Sequence, residues 1–121
     1  MHPASRLART LLRGNPDVLG LLVVDGDGHV EASESTAPEL VTSAVAVTVP
    51  LRDLLDRAAT ELGCGELSAT LVEGRDASLA IADVDGFRSV VVIGASGAAP
   101  GALRADSLWA AECLRNEVAR S

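Results

Sequence analysis

Across residues 36–63, apolar side chains recur at steps of three or four: Leu40, Ala44, Val47, Leu51, Leu54, Leu55, Ala58 and Leu62. At 3.6 residues per turn these positions gather on one face, which predicts a long amphipathic helix. Thr36 followed by Glu39 has capping-box spacing, and Gly63 supplies a left-handed stop. A second row, Val41, Val45 and Val49, lies roughly 100° or more round from the centre of that face and continues into Arg52 and Asp56. A helix packed on one sheet has no use for such a row, so its N-terminal half is expected to be covered by a second body. Pro50 interrupts the pattern. The alternation over residues 44–49 also suits a short strand with Pro50 opening a shorter helix. One kinked helix is preferred, because Leu40, Ala44 and Val47 keep register with Leu51, Leu54 and Ala58 across the proline.

The remaining pattern is shorter-ranged. Ala4, Leu7, Ala8, Leu11 and Leu12 share a helical face opposite Arg6, Arg9 and Arg13, and Asn15-Pro16-Asp17 ends that helix. Residues 18–24 form a continuous apolar run, the mark of a strand covered on both faces. Asp25-Gly26-Asp27-Gly28 reads as a hairpin turn returning into a polar strand over 29–35. Three more strands follow: Leu67, Ala69 and Leu71 alternate with Ser68 and Thr70, then Leu79 and Ile81 with Ser78 and Ala80, and residues 87–93 end in a second apolar run. After a connector over 94–101, Leu103, Ala110, Leu114 and Val118 share the face of a last helix, with Trp109 flanking it.

This order, α-β-β-α-β-β-β-α, predicts a single α+β domain with a central five-stranded antiparallel sheet. Placing the two most apolar strands at the centre gives the order 2-1-5-4-3, with the long helix on one face and the two terminal helices on the other. Strand 2 is an edge protected by charge; strand 3, over 66–73, carries charges only at its ends and invites pairing. A helix of about 26 residues spans about 39 Å, against about 23 Å for a seven-residue strand, so it overhangs its own sheet. The expectation is a symmetric homodimer joined through Val41, Val45 and Val49 on the helix and Leu67, Ser68, Ala69, Thr70 and Leu71 on the strand.

Composition narrows the chemistry. A net charge of −7 argues against nucleic acid. There is no lysine, which removes the P-loop lysine and any Schiff-base mechanism. No stretch of about eighteen apolar residues exists, so membrane insertion is not expected and a cytoplasmic setting is, with Cys64 and Cys113 as reduced thiols.

Candidate motifs fail individually. Asp25 and Asp27 suggest metal ligands, but His29, Val30 and Thr36 stand where a calcium loop needs oxygen ligands and glycine. Gly94-Ala95-Ser96-Gly97-Ala98 falls short of a nucleophile elbow, and Gly94, Gly97 and Gly101 do not make a dinucleotide fingerprint. His2 and His29 have no evident nucleophile partner, and Cys64 between two glycines reads as a turn residue. No cofactor, metal or catalytic residue is expected.

Taken in order, the opening helix, the hairpin Gly20-Leu21-Leu22-Val23-Val24-Asp25-Gly26-Asp27-Gly28-His29-Val30, the long second helix, the Asp85-Gly86 meander and the closing helix resemble the roadblock/LC7 family. The resemblance covers nearly the whole chain and rests on order and spacing. It implies dimerisation through the second helix and third strand. It also implies a non-enzymatic regulator of small Ras-like GTPases or a scaffold, as in bacterial members of the MglB type and actinomycete proteins encoded beside small GTPases. Arg52, Asp53, Asp56 and Arg57 are the candidate partner-facing charges on the long helix. The alternatives are a small-molecule sensor of profilin-like fold, against which the scarcity of aromatics counts, and a passive scaffold subunit.

Overall fold

The computed structural model describes the backbone of residues 2–120 and the side chains of residues 2–117; the predicted packing of Val118 lies outside the described side chains. The elements run α1 (Pro3–Gly14), β1 (Val18–Val24), β2 (Val30–Ser35), α2 (Pro38–Glu61), β3 (Ala69–Glu73), β4 (Ala77–Asp83), β5 (Ser89–Ala95) and α3 (Pro100–Arg120). One antiparallel sheet of order β2-β1-β5-β4-β3 joins all five strands, as the two apolar runs require.

The sheet separates two cores. Leu21, Val23, Ala80, Ala82, Val90 and Val92 face α1 and α3, where they meet Ala4, Ala8, Leu103, Ala110 and Leu114. Their neighbours Leu22, Val24, Ile81, Val91 and Ile93 face α2. Strands covered on both sides need apolar residues at every position, which is why β1 and β5 lack alternation. A Cβ on Gly94 would come within 2.5 Å of the Leu103 side chain, so a bare backbone there lets α3 seat against β5.

α2 departs from expectation at two points. Thr36 does not cap it. The cap residue is Ala37, and the Ser35 hydroxyl accepts from the Ala37 N–H at 2.8 Å while Thr36 donates to the Leu19 carbonyl. The stop at Gly63 is as expected: at φ +72° it allows the Cys64 N–H to reach the Ala59 carbonyl and the Gly63 N–H that of Thr60, a Schellman closure. The helix runs unbroken through Pro50. Ala46, whose carbonyl loses its partner there, is exposed together with Pro50, so the interruption falls away from the sheet.

The second departure is rotational. The buried positions are Ala44, Thr48 and Ala59, while Val41, Val45 and Val49 pack half-buried onto the sheet. Val47 and Leu54, assigned by periodicity to the inner face, are 47% and 56% exposed. The helix is thus turned about a quarter revolution from the hydropathy reading. Thr48 and Arg52 misled that reading because both satisfy themselves beneath the helix. Thr48 donates to the Ala44 carbonyl at 2.6 Å, and Arg52 donates to Asp83 and Ser89.

Candidate functional site

The outward strip of α2 carries Val47, Pro50 and Leu54, one turn apart and all exposed. Alongside it runs β3, paired only to β4 and open on its other margin. β3 is shorter than the predicted 66–73: Leu67 is half-buried and Ser68 exposed before the strand begins. Within it Ala69 and Thr70 are half-buried, and Leu71 and Val72 exposed. Thr70 and Val72 stand opposite Ile81 and Leu79, which face α2, so Val72 points to the α2 side. Leu40, Val47, Val72 and Leu79 line an apolar groove of about 220 Å³ between helix and strand.

The four candidate charges separate. Arg52 is not an exposed rim residue: its side chain is 17% exposed and turned under the helix onto Asp83 and the Ser89 hydroxyl, with the Asp56 carboxylate at 3.7 Å. The guanidinium satisfies a buried serine and a carboxylate between β4 and β5, so the sheet holds it. Asp53 and Arg57 are exposed and Asp56 half-buried. Sequence reasoning missed the Val47–Leu54 strip, and Pro50 was the available signal. A proline inside a helix frees a carbonyl that needs water, so residues three before and four after it share the wet face.

Elsewhere, polar side chains build turns. Asp25 Oδ1 accepts from the N–H groups of Asp27 and His29, and the His29 N–H holds the Asp25 carboxyl below the ordinary carboxylate range. Asp25, Asp27 and His29 come within 4.8 Å of one another, but Asp25 is already engaged by the turn. Arg88 grips both oxygens of Glu31 at 2.8 Å and Asp85 at 2.7 Å. Burial pushes Asp85 upward, but the Arg88 and Phe87 N–H groups and the Arg88 guanidinium outweigh it and hold the carboxyl low. Ser96 donates to the Arg75 carbonyl, tying the 94–98 connector to the β3–β4 turn. The cysteines are free thiols, Cys64 exposed and Cys113 half-buried. Among the described residues, no helix is long and apolar enough to cross a membrane.

Comparison with known proteins identifies the architecture. The family model described as Roadblock/LC7 domain matches residues 7–94. Among solved structures, the chain is similar to Myxococcus xanthus MglB at 20% identity and TM-score 0.84, covering 100% of this chain and 98% of that one. A Roadblock/LC7 domain from Streptomyces avermitilis gives 17% and 0.80, covering 94% and 96%. The gliding protein MglB from Thermus thermophilus gives 16% and 0.83, covering 98% and 90%. Comparison with curated protein sequences finds no match. With the family model spanning most of its length and the expected sheet order in place, this chain belongs to the Roadblock/LC7 domain family.

Proposed function

We propose that this protein is a homodimeric adaptor that binds a small Ras-like GTPase and tunes its nucleotide cycle without donating a catalytic group. The observation that carries this reading is the exposed strip Val47, Pro50 and Leu54 lying beside the open margin of β3. A two-fold partner covers both at once, since a symmetric contact sets α2 against α2 and β3 against β3. In such an interface Val47 and Leu54 make the central contact. Val41, Val45 and Val49 brace the helix from beneath, and Leu67, Ser68, Ala69, Thr70 and Leu71 supply the strand margin. Membership in a family of GTPase regulators and scaffolds supports the partner class. Asp53, Asp56 and Arg57 form the rim offered to the GTPase, and Arg52 acts below them by fixing Asp56 and the helix. Such a platform acts by ordering the GTPase's own groups, because preorganised electrostatics accelerate phosphoryl transfer without a donated side chain.

Sedimentation velocity tests the interface. The protein is expected to run as a dimer, and Val47→Asp combined with Leu54→Asp to weaken association at least ~100-fold. Charge reversal at Asp53, Asp56 and Arg57 is expected to leave the dimer intact and reduce the effect on nucleotide release from a Ras-like GTPase. A lone monomer at high concentration overturns the dimer. A dimer with no influence on the nucleotide cycle reduces the function to passive scaffolding.

A further inference from the structure

The turn between β4 and β5 is held from both layers of the molecule. On the α2 side, Arg52 donates to the Asp83 carboxylate, the Ser89 hydroxyl and the Arg88 carbonyl. From the opposite layer, Arg115 of α3 sends a single guanidinium nitrogen, Nη1, to the carbonyls of Asp83 at 2.9 Å and Val84 at 3.3 Å. Asp83 is therefore gripped twice, by its carboxylate from α2 and by its carbonyl from α3. Val84 is 2% exposed, and among the described residues no backbone N–H donates to its carbonyl, so Arg115 supplies the donor that this buried residue needs.

Between the two grips the turn is braced internally. The Gly86 N–H donates to both Asp83 oxygens, at 3.0 and 3.2 Å, and Asp85 Oδ1 accepts from the N–H groups of Phe87 and Arg88. A displacement at the Val84 end is thus passed to the Asp83 carboxylate instead of being absorbed within the turn. The second half of α2 depends on that carboxylate. Of the buried residues of α2 only Ala59 follows Arg52, while Asp53 and Arg57 are exposed. Arg52 supplies the polar tie between this charged rim and the sheet, with Asp56 Oδ2 at 3.7 Å from its Nε.

We propose that Arg115 is a positioning residue for the charged rim of α2, acting from the far side of the sheet through Asp83 and Arg52. The proposal rests on the reading of that rim as the GTPase-facing surface. Arg115 touches no rim residue; it holds the turn on which Arg52 is seated, and Arg52 in turn sets Asp56.

Side-chain hydrogen exchange tests the relay in the intact protein, because the Arg52 Nε–H gives its own resonance. Arg115→Met is expected to speed exchange of the Arg52 Nε–H and the Gly86 N–H at least ~threefold. Arg115→Lys is expected to restore the slow exchange, since one nitrogen serves both carbonyls and an ammonium can replace it. In an Asp83→Asn background, Arg115→Met should change Arg52 no further, whereas general loosening of the fold would add to the first effect. Circular dichroism checks that each variant is folded. The effect on nucleotide release from a Ras-like GTPase is expected to fall by a similar factor in Arg115→Met and to be unchanged in Arg104→Met, an exposed position on the same helix. Unaltered Arg52 exchange in Arg115→Met, failure of lysine to rescue it, or an additive change in the Asp83→Asn background overturns the proposal. Should the unsubstituted protein leave nucleotide release unaffected, the GTPase reading fails, and the exchange measurements still decide the role of Arg115.

Discussion

Arg52 leaves α2 on the side that hydropathy assigns to solvent, and it ends in a socket made by two strands. Its guanidinium donates to the Asp83 carboxylate, the Ser89 hydroxyl at 2.6 Å and the Arg88 carbonyl at 3.3 Å. Truncation would leave a buried serine without its donor and a partly buried carboxylate with only the Gly86 N–H. Arg52→Met, which keeps the aliphatic stem, is expected to lower unfolding free energy by about 2 kcal/mol in urea melts. Lysine should restore less than half, since a single ammonium cannot serve the whole fork. A loss below about 0.5 kcal/mol, the range of ordinary surface changes, would remove Arg52 as an anchor. Asp106 works in the opposite sense. Its Oδ2 is buried without a hydrogen-bond partner among the described residues, and burial pushes its carboxyl above the ordinary carboxylate value despite the opposing pull of the nearby Asn15 amide. Folding disfavours the charged form of such a group. It costs stability above the carboxylate range, and the cost disappears as pH falls through that range. Asp106→Asn is therefore expected to raise Tm by roughly 2–5 °C at neutral pH. The gain should vanish below about pH 4; a gain that persists in acid would mean that the charge is not its origin.

At the scale of the element, α2 shows why a pattern can be read correctly and oriented wrongly. Its existence, its stop at Gly63 and its continuity through Pro50 are written in spacing and backbone chemistry. Its rotation is not, because both Val41-Val45-Val49 and Val47-Leu54 are apolar, and periodicity cannot say which row meets the sheet. The decision lies in long-range partners: Thr48 back-bonded to Ala44, and Arg52 bonded to strands more than thirty residues away. The cap was missed for a similar reason, since Ser35 and Thr36 both bond the Leu19 carbonyl and the hairpin dictates which hydroxyl remains for the helix. Pro50 keeps the helix one backbone bond short. Pro50→Ala is expected to stabilise the protein by about 1–2 kcal/mol, the recovered helical bond less the freedom returned to the unfolded chain. Chemical denaturation measures this directly, and a destabilised variant would show that the ring makes contacts worth more than the bond.

For the whole molecule, sheet order was legible because two segments, 18–24 and 90–93, carry unbroken apolar runs, and strands covered on both faces must be central. The two edges then differ in kind. β2 is guarded by Glu31 bound to Arg88 and Glu34 paired with Arg9, whereas β3 has charge only at Glu73. The Val47–Val72 groove was illegible, since it needs the helix rotation and the strand register together. If a second copy covers that margin, melting becomes linked to association. Tm is then expected to rise by a few degrees for each tenfold increase in protein concentration, and a concentration-independent Tm would count against the dimer. The partition of β5 has a mechanical corollary. Val90 and Val92 serve one core, Val91 and Ile93 the other, so both helical flanks are bolted to the same ribbon of backbone. A guest that levered α2 away from the sheet would tug on the anchorage of α1 and α3 one peptide unit distant, giving opposite sides of a thin plate a shared hinge.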